Sequence, residues 1–193
     1  MSEATDSAVE AKEKDRTVAL IIAVLALLLA LAEAGAKDAQ HRSTEKNIES
    51  SDLYNFYQAK KIRSSVAETG VKLLEAQKTA VVEPKAQEAF ERQIGEFKAT
   101  VASFEKDPKK PEDSLGAIQE RASKAAESRE LANRRLERYE FGSGLIQIAI
   151  VLASAAIITG IAALIWFSIG LGAIGGLLMT LGFFAPTAFE FLG

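Results

Sequence analysis

Cysteine is missing from this chain of 193 residues, and histidine occurs once, as His41. Disulfides and thiolate metal sites are therefore excluded, and so is any site needing two imidazoles from one chain. Charge of one sign is also missing. The net charge is −3, and residues 33–141 carry 20 basic and 20 acidic side chains. An evenly mixed surface is not the clustered basic face of a nucleic-acid binder. No glycine-rich phosphate loop sits on a strand–helix unit, and no Ser/His/Asp set has a fold to hold it. The carboxylates alternate with Lys and Arg, as on a solvated helix face. The expectation is a protein without enzymatic chemistry and without a cofactor or metal. Proline is scarce, with four residues in all, and the four mark breaks between long helical stretches.

The apolar residues, by contrast, are gathered into two blocks. Thr17 to Ala32 is apolar after Thr17, and Leu145 to Ala185 runs for 41 residues without a charge. A bilayer core takes about 20 apolar residues per helix. The first block is one span and the second is two. This predicts an all-α membrane protein with three transmembrane helices, at 17–36, 142–167 and 170–185. A disordered tail is expected at 1–16 and a C-terminal tail at 186–193, after Pro186. The reversal between the last two spans is expected within Trp166–Gly172, where Trp166 and Phe167 suit an interfacial belt. A rival reading of the first block is a signal peptide, with Lys12, Lys14 and Arg16 ahead of it and Ala30-Leu31-Ala32 as a cleavage site. Against that, the block continues into helix-favouring sequence at Glu33–Lys37.

Small residues mark where membrane helices approach one another. Ala19, Ala23, Ala26 and Ala30 follow heptad-like spacing in the first span. Ala149, Ala153, Ala156, Gly160 and Ala163 do so in the second. Gly172 and Gly176 form a small-xxx-small pair in the third. These are the candidate helix-packing residues.

Between the blocks, residues 37–141 read as a polar coiled-coil insert with helices at about 38–82, 85–106 and 112–141. The first carries an a/d series at Ala59, Ile62, Val66, Thr69, Leu73, Ala76 and Ala80. It stops at Val82-Glu83-Pro84, and Gly70 is a candidate break within it. The second carries Phe90, Ile94, Phe97, Val101 and Phe104, and ends at Asp107-Pro108-Lys109-Lys110-Pro111. The third carries Leu115, Ile118, Ala122, Ala125, Arg129, Ala132, Leu136 and Tyr139, with Ser114 placed to cap its start. At about 1.5 Å per residue the first arm reaches roughly 70 Å, and the other two end to end about 80 Å. One helical hairpin is the simplest layout, and a three-helix bundle is the alternative. The positive-inside rule places the insert and C-terminus in the cytoplasm, since Lys37, Arg42, Lys46, Lys124, Arg129, Arg134, Arg135 and Arg138 flank the spans on that side.

Ser51-Asp52-Leu53-Tyr54-Asn55-Phe56-Tyr57-Gln58-Ala59-Lys60-Lys61-Ile62-Arg63 and Leu145-Ile146-Gln147-Ile148-Ala149-Ile150-Val151-Leu152-Ala153-Ser154 resemble segments of an uncharacterised bacterial membrane-protein family, domain of unknown function 4337. The order of elements is similar from about Arg16 onward. Family members more often have Trp where Tyr54 stands. The resemblance implies a bacterial inner-membrane protein and brings no activity with it. Tyr54, Phe56 and Tyr57 form a candidate interaction motif, or an aromatic cluster where the helical arms meet, with Phe56 in the core. The expected function is a membrane-anchored helical scaffold that self-associates as a homo-oligomer in the lipid bilayer. The alternative is a small oligomeric channel or transport-accessory subunit.

Overall fold

The computed structural model describes residues 2–106 and 109–185, so the tail at 186–193 and residues Asp107 and Pro108 of the expected breaker lie outside it. Four α-helices follow one another: α1 (Ser2–Thr79), α2 (Pro84–Glu105), α3 (Leu115–Thr159) and α4 (Ala162–Phe184), with one 3-10 turn at Pro111–Asp113. Among the described residues no strand occurs. Three of these helices are long and apolar enough to cross a membrane: α1, α3 and α4. Helix α1 already begins at Ser2, where a disordered tail was expected, and it continues through Gly70. The contacts form two compact units, residues 1–44 with 129–193, and residues 45–128.

In the first unit the buried positions recur every seven residues. On α1 they are Val18, Leu25, Ala32 and Ala39; on α3, Ala132, Tyr139, Ile146 and Ala153. On α4, Ser168, Gly175 and Gly182 continue the pattern. A seven-residue repeat keeps one stripe of a slightly underwound helix facing its neighbour. Leu25, Ile146 and Ala149 form the heart of this unit, with Ile21, Leu28, Leu29, Ile150 and Leu171 packed on them.

Glycines set how closely these helices approach. A Cβ added at Gly175 would stand 2.7 Å from the Gly142 carbonyl oxygen, and one at Gly142 would stand 2.9 Å from that of Gly175. Helices α3 and α4 therefore touch backbone to backbone. The Tyr139 ring lies on Gly35 of α1 in the same way, 2.7 Å from where a Cβ would be. Ser168 Oγ donates to the Ala149 carbonyl at 2.7 Å. That bond satisfies a buried hydroxyl which would otherwise be costly in an apolar surrounding.

The reversal between α3 and α4 falls at Gly160–Ile161, ahead of the expected Trp166–Gly172. Gly160 adopts φ 70°, a left-handed conformation that glycine takes at little cost. The Thr159 hydroxyl accepts the Ile161 N–H at 3.4 Å. Residues 142–159 then rise about 27 Å, and the 23 residues of α4 about 35 Å. Both suit a hydrocarbon core of about 30 Å. Trp166 becomes an exposed residue in the second turn of α4.

In the second unit α1 ends at Thr79, and Pro84 opens α2 at a position where its missing N–H costs nothing. Helix α2 lies antiparallel on α1. Lys78 pairs with Glu91 at 2.6 Å and Glu75 with Lys98 at 2.8 Å. Between those pairs and the middle of α1, the Phe97 ring sits on Gly70, 3.0 Å from where a Cβ would be. Gly70 thus serves as a socket for an aromatic ring within an unbroken helix. The start of α3 packs on an earlier part of α1, where Leu53, Ile118 and Ala122 form a core with Tyr57 against it. Ser114 does cap α3, its Oγ accepting the Ala117 N–H at 3.4 Å.

Candidate interaction site

Helix α1 turns one stripe inward in the second unit. Ser50, Leu53, Ser64, Ala67 and Val71 are buried there, and Tyr57, Lys60, Leu74 and Lys78 on the same stripe are half-buried. The spacing is three and four throughout, so one continuous face is used. Polar members of the stripe find partners. Ser50 Oγ donates to the Ala122 carbonyl at 3.3 Å, and Lys60 Nζ donates to the Asp113 carbonyl.

The more apolar stripe of the same helix points elsewhere. Ala59, Ile62, Val66, Thr69, Leu73, Ala76 and Ala80 are all exposed. Ile62 is 64% exposed, Val66 66% and Leu73 59%. The inward and outward stripes are offset by two residues, or about 200° around the helix. Over residues 59–80 the chain thus covers the more polar face of helix α1 and leaves the more apolar face uncovered. Exposed a/d positions sustained for about three heptads have the spacing that another helix fills. Single exposed apolar residues are ordinary, whereas an ordered row of them marks an interaction surface.

The aromatic motif divides between the two roles expected of it. Tyr57 is half-buried on Leu53, Ile118 and Ala122. Tyr54 and Phe56 are exposed, and Lys60 Nζ lies 5.7 Å from the centre of the Phe56 ring. Phe56 is therefore not the core residue that was expected. It sits about 100° around the helix from Tyr57, and Leu53 takes the inward place.

Most of the chain matches a family profile. The profile is that of a domain of unknown function, DUF4337, and it covers residues 14–185. The chain belongs to this family. No curated protein and no solved structure matches it.

The small residues of this family member's spans fall in two groups. Ala149, Ala153, Ala156 and Gly172 are buried inside the first unit. Gly172 makes room for Leu25, whose Cδ2 occupies the space a Cβ would take. Ala19, Ala23, Ala26 and Ala30 are exposed, and so is Ala163. Gly160 forms the turn, and Gly176 is half-buried with nothing within 4 Å of an added Cβ. Sequence reasoning missed Gly35, Gly142 and Gly175. Their signal was present: each is a glycine inside a helix, where glycine costs about 1 kcal/mol relative to alanine and calls for a packing reason.

Ion pairs decorate the helix surfaces without gathering into a site. The hydrogen bond from Lys124 holds the Glu120 carboxyl below its usual value, and the bond from Lys46 to Glu49 raises the Lys46 ammonium. Among the described residues no three His, Asp or Glu side chains form a group able to hold a metal ion.

Proposed function

We propose that this protein is a membrane-anchored helical scaffold that works as a homo-oligomer, joined through the outward stripe of α1. The observation that carries the reading is the second apolar face at Ile62, Val66 and Leu73, left exposed by the chain's own packing. The spans anchor the chain in a bacterial inner membrane. The insert forms a helical hairpin in the cytoplasm, where Lys and Arg concentrate next to the spans. Copies inserted with the same orientation present α1 in the same direction, so the pairing is parallel, with like positions facing one another. The role is assembly of copies and presentation of Tyr54 and Phe56 on the surface, without enzymatic chemistry.

Co-purification of two differently tagged full-length copies from membranes tests this. The wild-type chains are expected to capture one another. Ile62→Glu together with Leu73→Glu places charges in the stripe and is expected to abolish capture while helical content stays unchanged. Capture that survives both substitutions contradicts the reading.

A further inference from the structure

Charged residues bound the apolar belt of the first unit at both ends, and contacts between its helices fix their heights. Helices α1 and α3 run antiparallel there. The Tyr139 ring lies on Gly35, and Leu25 packs with Ala149, ten residues deeper on each helix. Counting inward from the Gly35–Tyr139 contact at about 1.5 Å per residue, Glu33 and Glu140 stand within about 2 Å of the same height. Both are exposed. Two carboxylates therefore mark the edge of the belt on the side of the insert. Counting the other way from Leu25 and Ala149, Arg16 is level with Ile158, just short of the turn at Gly160. Asp15 and Arg16 are exposed and mark the opposite edge. Trp166 is 75% exposed and stands about 6 Å from the start of α4, the place of an interfacial aromatic. Helix α4 is longer, yet its Gly182 packs on Arg138, so its last turn already lies among charged residues.

Arg16 and Glu33 enclose 16 uncharged residues, and from one to the other α1 rises about 25 Å. A typical hydrocarbon core is about 30 Å thick. An arginine reaches outward to water with its long side chain. Asp15, beside it, and Glu33 at the other end have short side chains and do not. The belt is therefore shorter than the core of an average bilayer. We propose that this unit selects a thinner bilayer and gathers short-chain phospholipids around its belt. The proposal rests on the membrane-anchored reading above and not on the pairing of copies. Drawing the carboxylates into hydrocarbon is costly, so a short span instead thins the bilayer around it, at a cost that grows with each ångström of mismatch. Short acyl chains remove that cost, and they collect at the protein surface.

Trp166 is the sole tryptophan, so its fluorescence reads the surrounding lipid without a label. Full-length protein is placed in phosphatidylcholine vesicles that contain a brominated oleoyl lipid, which quenches Trp166. Plain phosphatidylcholines with myristoleoyl, oleoyl or eicosenoyl chains then compete with the quencher, so that chain length alone varies. The myristoleoyl lipid is expected to bind about fivefold more strongly than the eicosenoyl lipid, the ratio a mismatch of several ångströms supplies. Glu33→Leu together with Glu140→Leu moves the edge out to Lys37 and Arg138, and is expected to bring that ratio to about one or below. Glu33→Asp together with Glu140→Asp keeps the charges and is expected to keep the wild-type ratio. Both positions are exposed, so the variants keep the fold, which circular dichroism checks; if the leucine substitutions prevent folding, the wild-type ranking decides alone. Equal binding of the three lipids by wild type, preference for the eicosenoyl lipid, or a ranking unmoved by the leucine substitutions overturns the proposal. Absence of any quenching of Trp166 overturns the membrane-anchored reading with it, whereas failure of copies to capture one another leaves the lipid ranking as predicted.

Discussion

Glycine does two different jobs in the membrane-spanning part, and substitution separates them. Gly175 meets a backbone oxygen of α3, whereas Gly176, the next residue, meets nothing. Backbone cannot yield as a side chain can. Gly175→Ala should cost about 1–3 kcal/mol by overpacking, read as reduced stability in a detergent or steric-trapping unfolding assay. Gly176→Ala should be near neutral in the single chain. Equal effects of the two would show that α3 and α4 are not in backbone contact. Serine makes a similar point. Ser168→Ala removes the bond to Ala149 and should cost about 0.6–1.7 kcal/mol, the range of hydrogen bonds between membrane helices. At this scale the sequence carried a signal, a glycine in mid-helix, but not its meaning, because the partner surface belongs to a helix distant along the chain.

The helices themselves were far more legible than the faces they use. The series Leu115, Ile118, Ala122, Ala125, Ala132 and Tyr139 on α3 is the buried stripe of that helix. It could be read because α3 has one apolar stripe there. Helix α1 has two, and the more apolar one is outside. The inward stripe contains Ser50, Lys60, Ser64 and Lys78; Ser50, Lys60 and Lys78 find partners elsewhere in the chain, which periodicity cannot see. The α3–α4 turn was misplaced for a related reason: hydropathy is continuous across Gly160, and only its positive φ marks the reversal. Electrostatics acts at this scale too. The hydrogen bond from Lys78 holds the Glu91 carboxyl below the ordinary carboxyl value of 4.5. A depressed carboxyl contributes stability that is complete above its unfolded value and is lost as pH falls through the lower folded value. An NMR titration should therefore show the α1–α2 contact loosening only below about pH 4.5. A Glu91 midpoint at or above that value would contradict the pairing. High salt should weaken the same contact, since both side chains are on the surface.

At the scale of the whole molecule, the buried stripes of α1 and α3 are used in packing within the chain. The outward row of α1, at Ile62, Val66 and Leu73, stays exposed. It is the surface proposed to join copies of the chain. The absence of cysteine makes the central claim directly measurable, because any single introduced thiol has no competitor within the chain. Two thiols join when their Cα atoms come within about 7 Å. Full-length Val66→Cys, oxidised in native membranes, should run as a disulfide-linked dimer. Ser64→Cys, on the buried inward stripe, should remain monomeric under the same treatment. Cross-linking at Val66 and not at Ser64 is the result predicted for copies joined by the outward stripe of α1. No linkage at Val66, or equal linkage at both positions, would contradict it.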